Sequence, residues 1–197
     1  MGEAYSVYWS RERWIHATAR CAHLTVLFGG PHTSLPSFRR ATVQPGDLLY
    51  PIGVCRQVLY VSGRMCVKEI VAVGGASQPR PEDYFRHGGD WRFLKGKCIS
   101  EVVIGTEDSA IHLDRPLPGE VTKRLVFAPR RGPRPIKHVS DDGRLVHSVP
   151  VQGIYRLSEL SAADIEAVLG GPPGQTVCPF PPRHRQLPPH FNMDPLF

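Results

Sequence analysis

The sequence predicts an α+β fold, rich in short strands and poor in helices, and three observations predict it. Between Val43 and Gly75 the chain reads VQPGDLLYPIGVCRQVLYVSGRMCVKEIVAVGG, short β-branched and apolar runs parted by Pro45-Gly46-Asp47, Arg56-Gln57 and Ser62-Gly63-Arg64. Such runs between turn residues read as consecutive antiparallel strands. The 197 residues include 19 Gly and 20 Pro, a composition tilted towards strands, turns and loops. Only one segment carries both a helix start and a helix stop. Ser161 caps it, Asp164 follows three residues on, Ile165, Val168 and Leu169 share a face, and Gly170-Gly171 with Pro172-Pro173 end it.

The remaining elements follow in chain order. Residues 5–9, YSVYW, alternate as a first strand, and Arg11 to Cys21 forms a short helix capped by Ser10. His23 to Phe28 is a strand, although its apolar run is too short for period alone to separate strand from helix. Gly29 to Gln44 is a long loop with one helical turn near Pro36–Arg40, and the three strands of the Val43–Gly75 stretch come next. Gln78 to Lys97 is a polar surface excursion. Cys98 to Gly105, Arg124 to Ala128 and Gln152 to Leu157 are further strands, with a loop over Arg130 to Pro135. From Pro172 onward 8 of 26 residues are proline, which excludes a helix or a central strand. The division is therefore a domain over residues 1–171 and a Pro-rich tail over 172–197.

A chain this long buries a sizeable core, and no apolar run approaches the ~20 residues that span a bilayer. The start, MGEAYSVYWSRERW, lacks a basic n-region followed by an apolar block, so no secretory signal is expected; Met1-Gly2 with Ser6 is a short formal match to a myristoylation pattern. The five cysteines, Cys21, Cys55, Cys66, Cys98 and Cys178, are odd in number and include no CxxC spacing. They read as small hydrophobes of a cytoplasmic protein, with neither a disulfide framework nor a structural zinc. No metal site and no cofactor are expected.

The net charge is +6, with 19 Arg against 5 Lys. Arginine is the better bidentate ligand for phosphate and guanine. A GC-rich coding sequence would raise Arg, Ala, Gly and Pro together, so the placement of the charge is more telling than its sum. Residues 122–138, TKRLVFAPRRGPRPIKH, hold Lys123, Arg124, Arg130, Arg131, Arg134 and Lys137 with no acid, a pattern that suits a phosphate backbone. Residues 83–97 interleave Tyr84, Phe85, Trp91 and Phe93 with Arg86, Arg92, Lys95 and Lys97, which suits stacking on unpaired bases or, equally, packing of a long loop.

The Gly46-Asp47 turn followed by strands that end in Lys68-Glu69 and a valine run is similar to the core of the PUA-like superfamily, including its ASCH and EVE modules. The resemblance covers roughly the first half of the chain. It implies a mixed β-barrel of about five to seven strands with two or three flanking helices, and binding of RNA or of a modified base in DNA. In EVE modules an aromatic and Arg-bearing segment before the Gly-Asp turn lines the base pocket. Ser34-Leu35-Pro36-Ser37-Phe38-Arg39-Arg40 stands in that place here, while the Trp- and Asn-rich EVE segment is absent. The resemblance implies a reader of a modified base, with 5-methylcytosine in DNA as its sharpest form, working by base flipping. Trp9, Phe38 and Trp91 are the candidate stacking rings. Arg39, Arg40, Arg64, Lys95, Lys97, Arg130, Arg131 and Arg134 are the candidate nucleic-acid contacts. Phe38 as a plug at the end of the barrel is the competing role for that ring.

Enzymatic signals are weak. Nine His form no HxxxH, HExxH or HxE…CxxC arrangement, Asp141-Asp142-Gly143 reads as a turn, and no GxSxG elbow or Walker loop occurs. Some ASCH-like proteins are small amidohydrolases of a modified nucleoside that use a Lys, a Thr and a Glu. Lys68 and Glu69 lie on a suitable strand, but the triad does not match residue by residue, so no catalytic residue is assigned. A nucleoside amidohydrolase is the alternative function, and a protein-interaction adaptor is third.

Overall fold

The computed structural model describes residues 2–11, 13–14, 23–32, 35–80, 98–112, 114–129 and 132–171, the side chains of 107–109 excepted. The fold is α+β. The strands named among the described residues are β1 (Ala4–Tyr8), β2 (His23–Gly29), β3 (Leu48–Cys55), β4 (Val58–Val61), β5 (Met65–Ala72), β6 (Glu101–Ala110), β7 (Val126–Phe127), β8 (Arg134–Pro135) and β9 (Ile154–Arg156). The helices α1 (Gly119–Arg124) and α2 (Glu159–Gly170) accompany them.

Seven strands make one mixed sheet in the order β2-β6-β5-β3-β1-β9, with β4 beside β3, and β7 pairs β8 in a separate ribbon. β1 runs parallel to β3, with Ala4 opposite Leu48 and Tyr8 opposite Ile52; all other pairings within the sheet are antiparallel. The expected closed barrel is therefore corrected to an open sheet, because β2 and β9 end the order and do not pair with each other. Where a ladder would continue past β2, a side chain intervenes: the Arg13 guanidinium donates to the Phe28 carbonyl at 2.8 Å.

Strand β3 is buried on both faces, and its period of two divides the protein into two cores. Leu49 and Cys55 face a cluster with Val7, Trp9, Trp14, Leu24, Leu27, Phe38, Met65 and Val103. Tyr50 and Ile52 face a second cluster with Leu59, Val61, Leu125, Phe127, Leu145, Leu157 and Ile165. The helices belong to the second. The β3–β4 hairpin turns on Arg56 and Gln57, both left-handed (φ 46° and 68°), the geometry of a type I′ turn built without glycine.

Two local expectations are corrected. The cap of α2 is Ser158, whose Oγ accepts from the Ser161 amide at 3.2 Å; Ser161 instead accepts from the Val126 amide at 2.8 Å and ties the helix to β7. The strand read over Arg124–Ala128 is formed at Val126–Phe127, and residues 119–124, Arg124 included, form α1. It is held to α2 by Arg124, which donates to both carboxylate oxygens of Asp164 at 2.7 and 2.6 Å. Asp141-Asp142-Gly143 is a turn as expected, with Gly143 at φ 79° against the backbone of Gly119, where a Cβ would come within 2.2 Å. Among the described residues, no helix is long and apolar enough to cross a membrane.

Candidate nucleic-acid interface

The ribbon β7–β8 extends the sheet beyond its β9 edge. Phe127 bridges to Leu157, the Ala128 amide donates to the Arg156 carbonyl at 2.8 Å, and the Ser158 amide donates to the Val126 carbonyl at 3.0 Å. β8 lies on the other side of β7, with Arg134 opposite Phe127. This arrangement stacks the Phe127 and Tyr155 rings 4.6 Å apart at 32°. The Arg134 guanidinium covers both, at 6.0 Å from the Phe127 ring and 5.6 Å from Tyr155, within cation–π range. The Tyr155 hydroxyl donates to the Gln152 carbonyl at 2.7 Å, which fixes the ring.

The Phe127–Tyr155 stack is a wall shared by two open clefts. One, of about 240 Å³, is lined by Arg134, Lys137, His138, His147, Val149 and Pro150 among others. The other, of about 330 Å³, is lined by Tyr5, Arg40, Thr42, Ala128, Ile154 and Arg156 among others. Four cations and two imidazoles thus surround one aromatic pair, and among the described residues no carboxylate lines either cleft. Arg134 and Lys137 are exposed, as is Arg40, whose amide caps onto Ser37 Oγ at 3.1 Å and leaves the side chain outward. Arg156 is held in place, donating to the Ala128 carbonyl at 2.6 Å and to Glu3 Oε1 at 3.1 Å. Burial raises the Tyr5 pKa above its ordinary value, with Asp47 and Glu3 adding to the rise and the Thr42 hydrogen bond and Arg156 opposing it. Tyr5 therefore contributes a neutral hydroxyl and no negative charge.

The sequence-derived contacts divide. Arg40 and Arg134 meet across the shared wall, one in each cleft. Arg39 is engaged elsewhere: it lies 3.9 Å from the buried Glu101 carboxylate and donates to the Ile70 carbonyl at 3.3 Å. Arg64 pairs with Glu166 at 3.5 Å, beside the Tyr50 hydroxyl that donates to the same carboxylate at 2.7 Å. Neither lines a cleft.

Trp9 and Phe38 are corrected outright as stacking rings. Phe38 is wholly buried and Trp9 is 3% exposed, so neither offers a face to a base. Glu101 explains Phe38. Its carboxylate accepts the Phe38 and Arg39 amides at 2.8 and 3.2 Å, caps the turn over 38–42, and draws the ring onto Gly29, where a Cβ would approach it within 2.7 Å. Phe38 is a buried member of the first core, and the open sheet has no barrel end for it to plug. Trp91, Lys95, Lys97, Arg130 and Arg131, and the whole excursion 83–97, lie outside the described residues, as do the Pro-rich tail and most of the helix expected over 11–21. Lys68 and Glu69 are exposed at a bulge of β5 and line neither cleft.

Sequence reasoning missed Tyr155, Arg156 and His147, and quoted His138 only as the end of the basic run. The strand 152–157 was legible, but its place beside β7 was not. His147 arrives through the Val139–Leu145 bridge, a pairing across a turn whose partners carry no sequence signal.

Among the described residues, no group of three or more His, Cys, Asp or Glu is placed to hold a metal. Comparison with protein-family profiles finds no matching family, and comparison with curated proteins finds no match.

Proposed function

We propose that this chain binds nucleic acid through the two clefts on either side of the Phe127–Tyr155 wall, as the proteins its Gly46-Asp47 strand pattern is similar to bind RNA or modified DNA. One observation carries the reading: Arg40, Arg134, Lys137 and Arg156 surround a fixed aromatic pair with no carboxylate in the lining. Cations alone suit any polyanion. Cations around a half-buried Tyr155 suit a strand whose phosphates lie on arginine while an unpaired base stacks on the ring. Clefts of this size admit a base that is single-stranded or extruded, and not a duplex. A methylated base such as 5-methylcytosine is the sharper form of the proposal; its methyl group adds about 0.8 kcal/mol when buried, roughly a fourfold preference.

The test is fluorescence anisotropy with labelled single-stranded DNA and RNA across a salt series. Contacts from Arg40, Arg134 and Lys137 imply a log–log slope of about −2 on single strands. Arg40→Ala with Arg134→Ala together should reduce that slope by about 1.4. Tyr155→Leu should weaken binding by about 1–3 kcal/mol without changing the slope, since it removes stacking and no charge. Equal affinity for polyglutamate of matched charge would replace nucleic acid by an acidic protein partner. Absence of binding at low salt would end the proposal.

A further inference from the structure

His138 and His147 stand in the smaller cleft with their rings 4.8 Å apart at 47°. Both are exposed, and the backbone pins them: Val139 bridges to Leu145, and the Val146 amide donates to the His138 carbonyl at 3.0 Å. His138 is itself left-handed, at φ 57°. For a residue with a Cβ that conformation is disfavoured and persists where the surrounding structure imposes it. Strain is thus retained at the point where two imidazoles meet.

We propose that Arg134, Lys137, His138 and His147 form a proton-linked phosphate subsite. A backbone phosphate entering the cleft is held by the two permanent cations and draws a proton onto the imidazoles, so affinity climbs as pH falls through the histidine range. The inference rests on the nucleic-acid reading above and adds to it a site and a pH dependence. The charged and titratable groups facing the pair are Arg134, Lys137 and Tyr155 in the cleft lining. Asp141, Asp142 and Arg144 lie in the connecting turn, where Asp142 is held by Ser140 Oγ and by Arg144 at 3.0 Å. The Ser140 hydrogen bond, chiefly, keeps the Asp142 carboxyl below its ordinary value, so it stays ionised and does not titrate with the histidines. A phosphate supplies the negative charge that the cleft lining lacks. The same surplus of cations argues against a divalent metal on this histidine pair.

By linkage, each proton taken up on binding steepens affinity by up to about tenfold per pH unit as pH falls from the imidazole's phosphate-bound titration range to its free one, and the gain is complete below the free range. The experiment titrates the full chain with a short labelled oligothymidylate, whose bases do not ionise in this range, at constant ionic strength from about pH 8 to about pH 5.5. Wild-type affinity should tighten at least about tenfold, and His138→Gln with His147→Gln should flatten the profile. Because His138 is conformationally strained, His147→Gln alone is the second variant and should remove a large part of the slope. Thermal melts at both ends of the range establish that each protein stays folded. The same profile in wild type and variants, or a flat wild-type profile, overturns the subsite while leaving the nucleic-acid reading intact. No binding at any pH overturns both.

Discussion

Two arginines in this protein sit over aromatic rings at nearly the same distance, in opposite surroundings. Arg13 lies 5.8 Å from the Trp9 ring and Arg134 lies 5.6 Å from the Tyr155 ring. Arg13 is buried, with Trp14 edge-on to Trp9 at 6.3 Å and to Tyr60 at 6.1 Å. Among the described residues its Nη1, and the indole nitrogens of Trp9 and Trp14, have no hydrogen-bond partner. Burial lowers its pKa to about 10, so it keeps its charge at neutral pH. Arg134 is exposed and beside open space. The contact is the same; what differs is whether anything can still approach it. Arg13 closes a core and Arg134 borders an open cleft.

The comparison breaks first on the core side. Trp14→Ala or Phe38→Ala should destabilise the fold by about 3–5 kcal/mol, because each removes a buried ring from the cluster inside the sheet. A denaturant midpoint that barely moves would mean the aromatic core is not closed as described. Next is the unpaired charge. Arg13→Met should leave stability unchanged or raise it by about 1–2 kcal/mol, since an apolar chain of similar length avoids the desolvation of a buried cation. Arg134→Met should stay within about 0.5 kcal/mol in stability and lose nucleic-acid affinity. If Arg13→Met unfolds the protein, the bond to the Phe28 carbonyl outweighs the buried charge.

Smaller effects sharpen the boundary of the site. Arg39→Ala and Arg64→Ala should each leave affinity and salt slope within error, because one is turned to Glu101 and Ile70 and the other to Glu166. A loss equal to that of Arg40→Ala would show that the interface reaches beyond the two clefts. Last, the Arg124–Asp164 clasp should contribute a little acid sensitivity. The Arg124 hydrogen bonds hold the Asp164 carboxyl below its ordinary value, so the associated stability is present above that ordinary value and is lost as pH falls through the lower, folded one. Asp164→Asn should remove that part of the acid limb and shift Tm by at most a few degrees, since the pair is largely solvated.

Short β-branched and apolar runs between turn residues made β1, β2, the β3–β4–β5 series, the first half of β6 and β9 legible in the sequence, and Gly170-Gly171 marked the end of α2. α1 was not legible, because six residues following Pro118 give too short a periodic signal. The cap at Ser158 was displaced to Ser161, since both are serines before a helical stretch and only the tertiary bond from Val126 distinguishes their tasks. For the candidate site, the basic run ending in His138 includes Arg134, which stands on β8 and lines the smaller cleft. Phe38, Arg39 and Arg40 are adjacent in sequence, yet one is buried, one faces Glu101 and one lines a cleft. That partition depends on a carboxylate more than sixty residues away, which no local pattern encodes.

The pairing of β1 with β9 bears on how the protein is made. Tyr5 lies opposite Arg156, so β1 has its second neighbour only when the rest of the described sheet has been translated. Until then one edge of β1 is open, and Arg40 and Tyr5 face no Tyr155. The first core, around Leu49 and Met65, has its last buried member at Val103 and can close earlier, whereas the second, which contains Leu157 and Ile165, cannot. A nascent or truncated chain ending before residue 150 would therefore present half a cleft and a bare strand edge, without affinity and prone to stick to its neighbours. Long-range closure of this kind also slows folding. Binding competence would then be the last property the chain acquires, and its appearance on a ribosome-arrest series would mark the docking of β9.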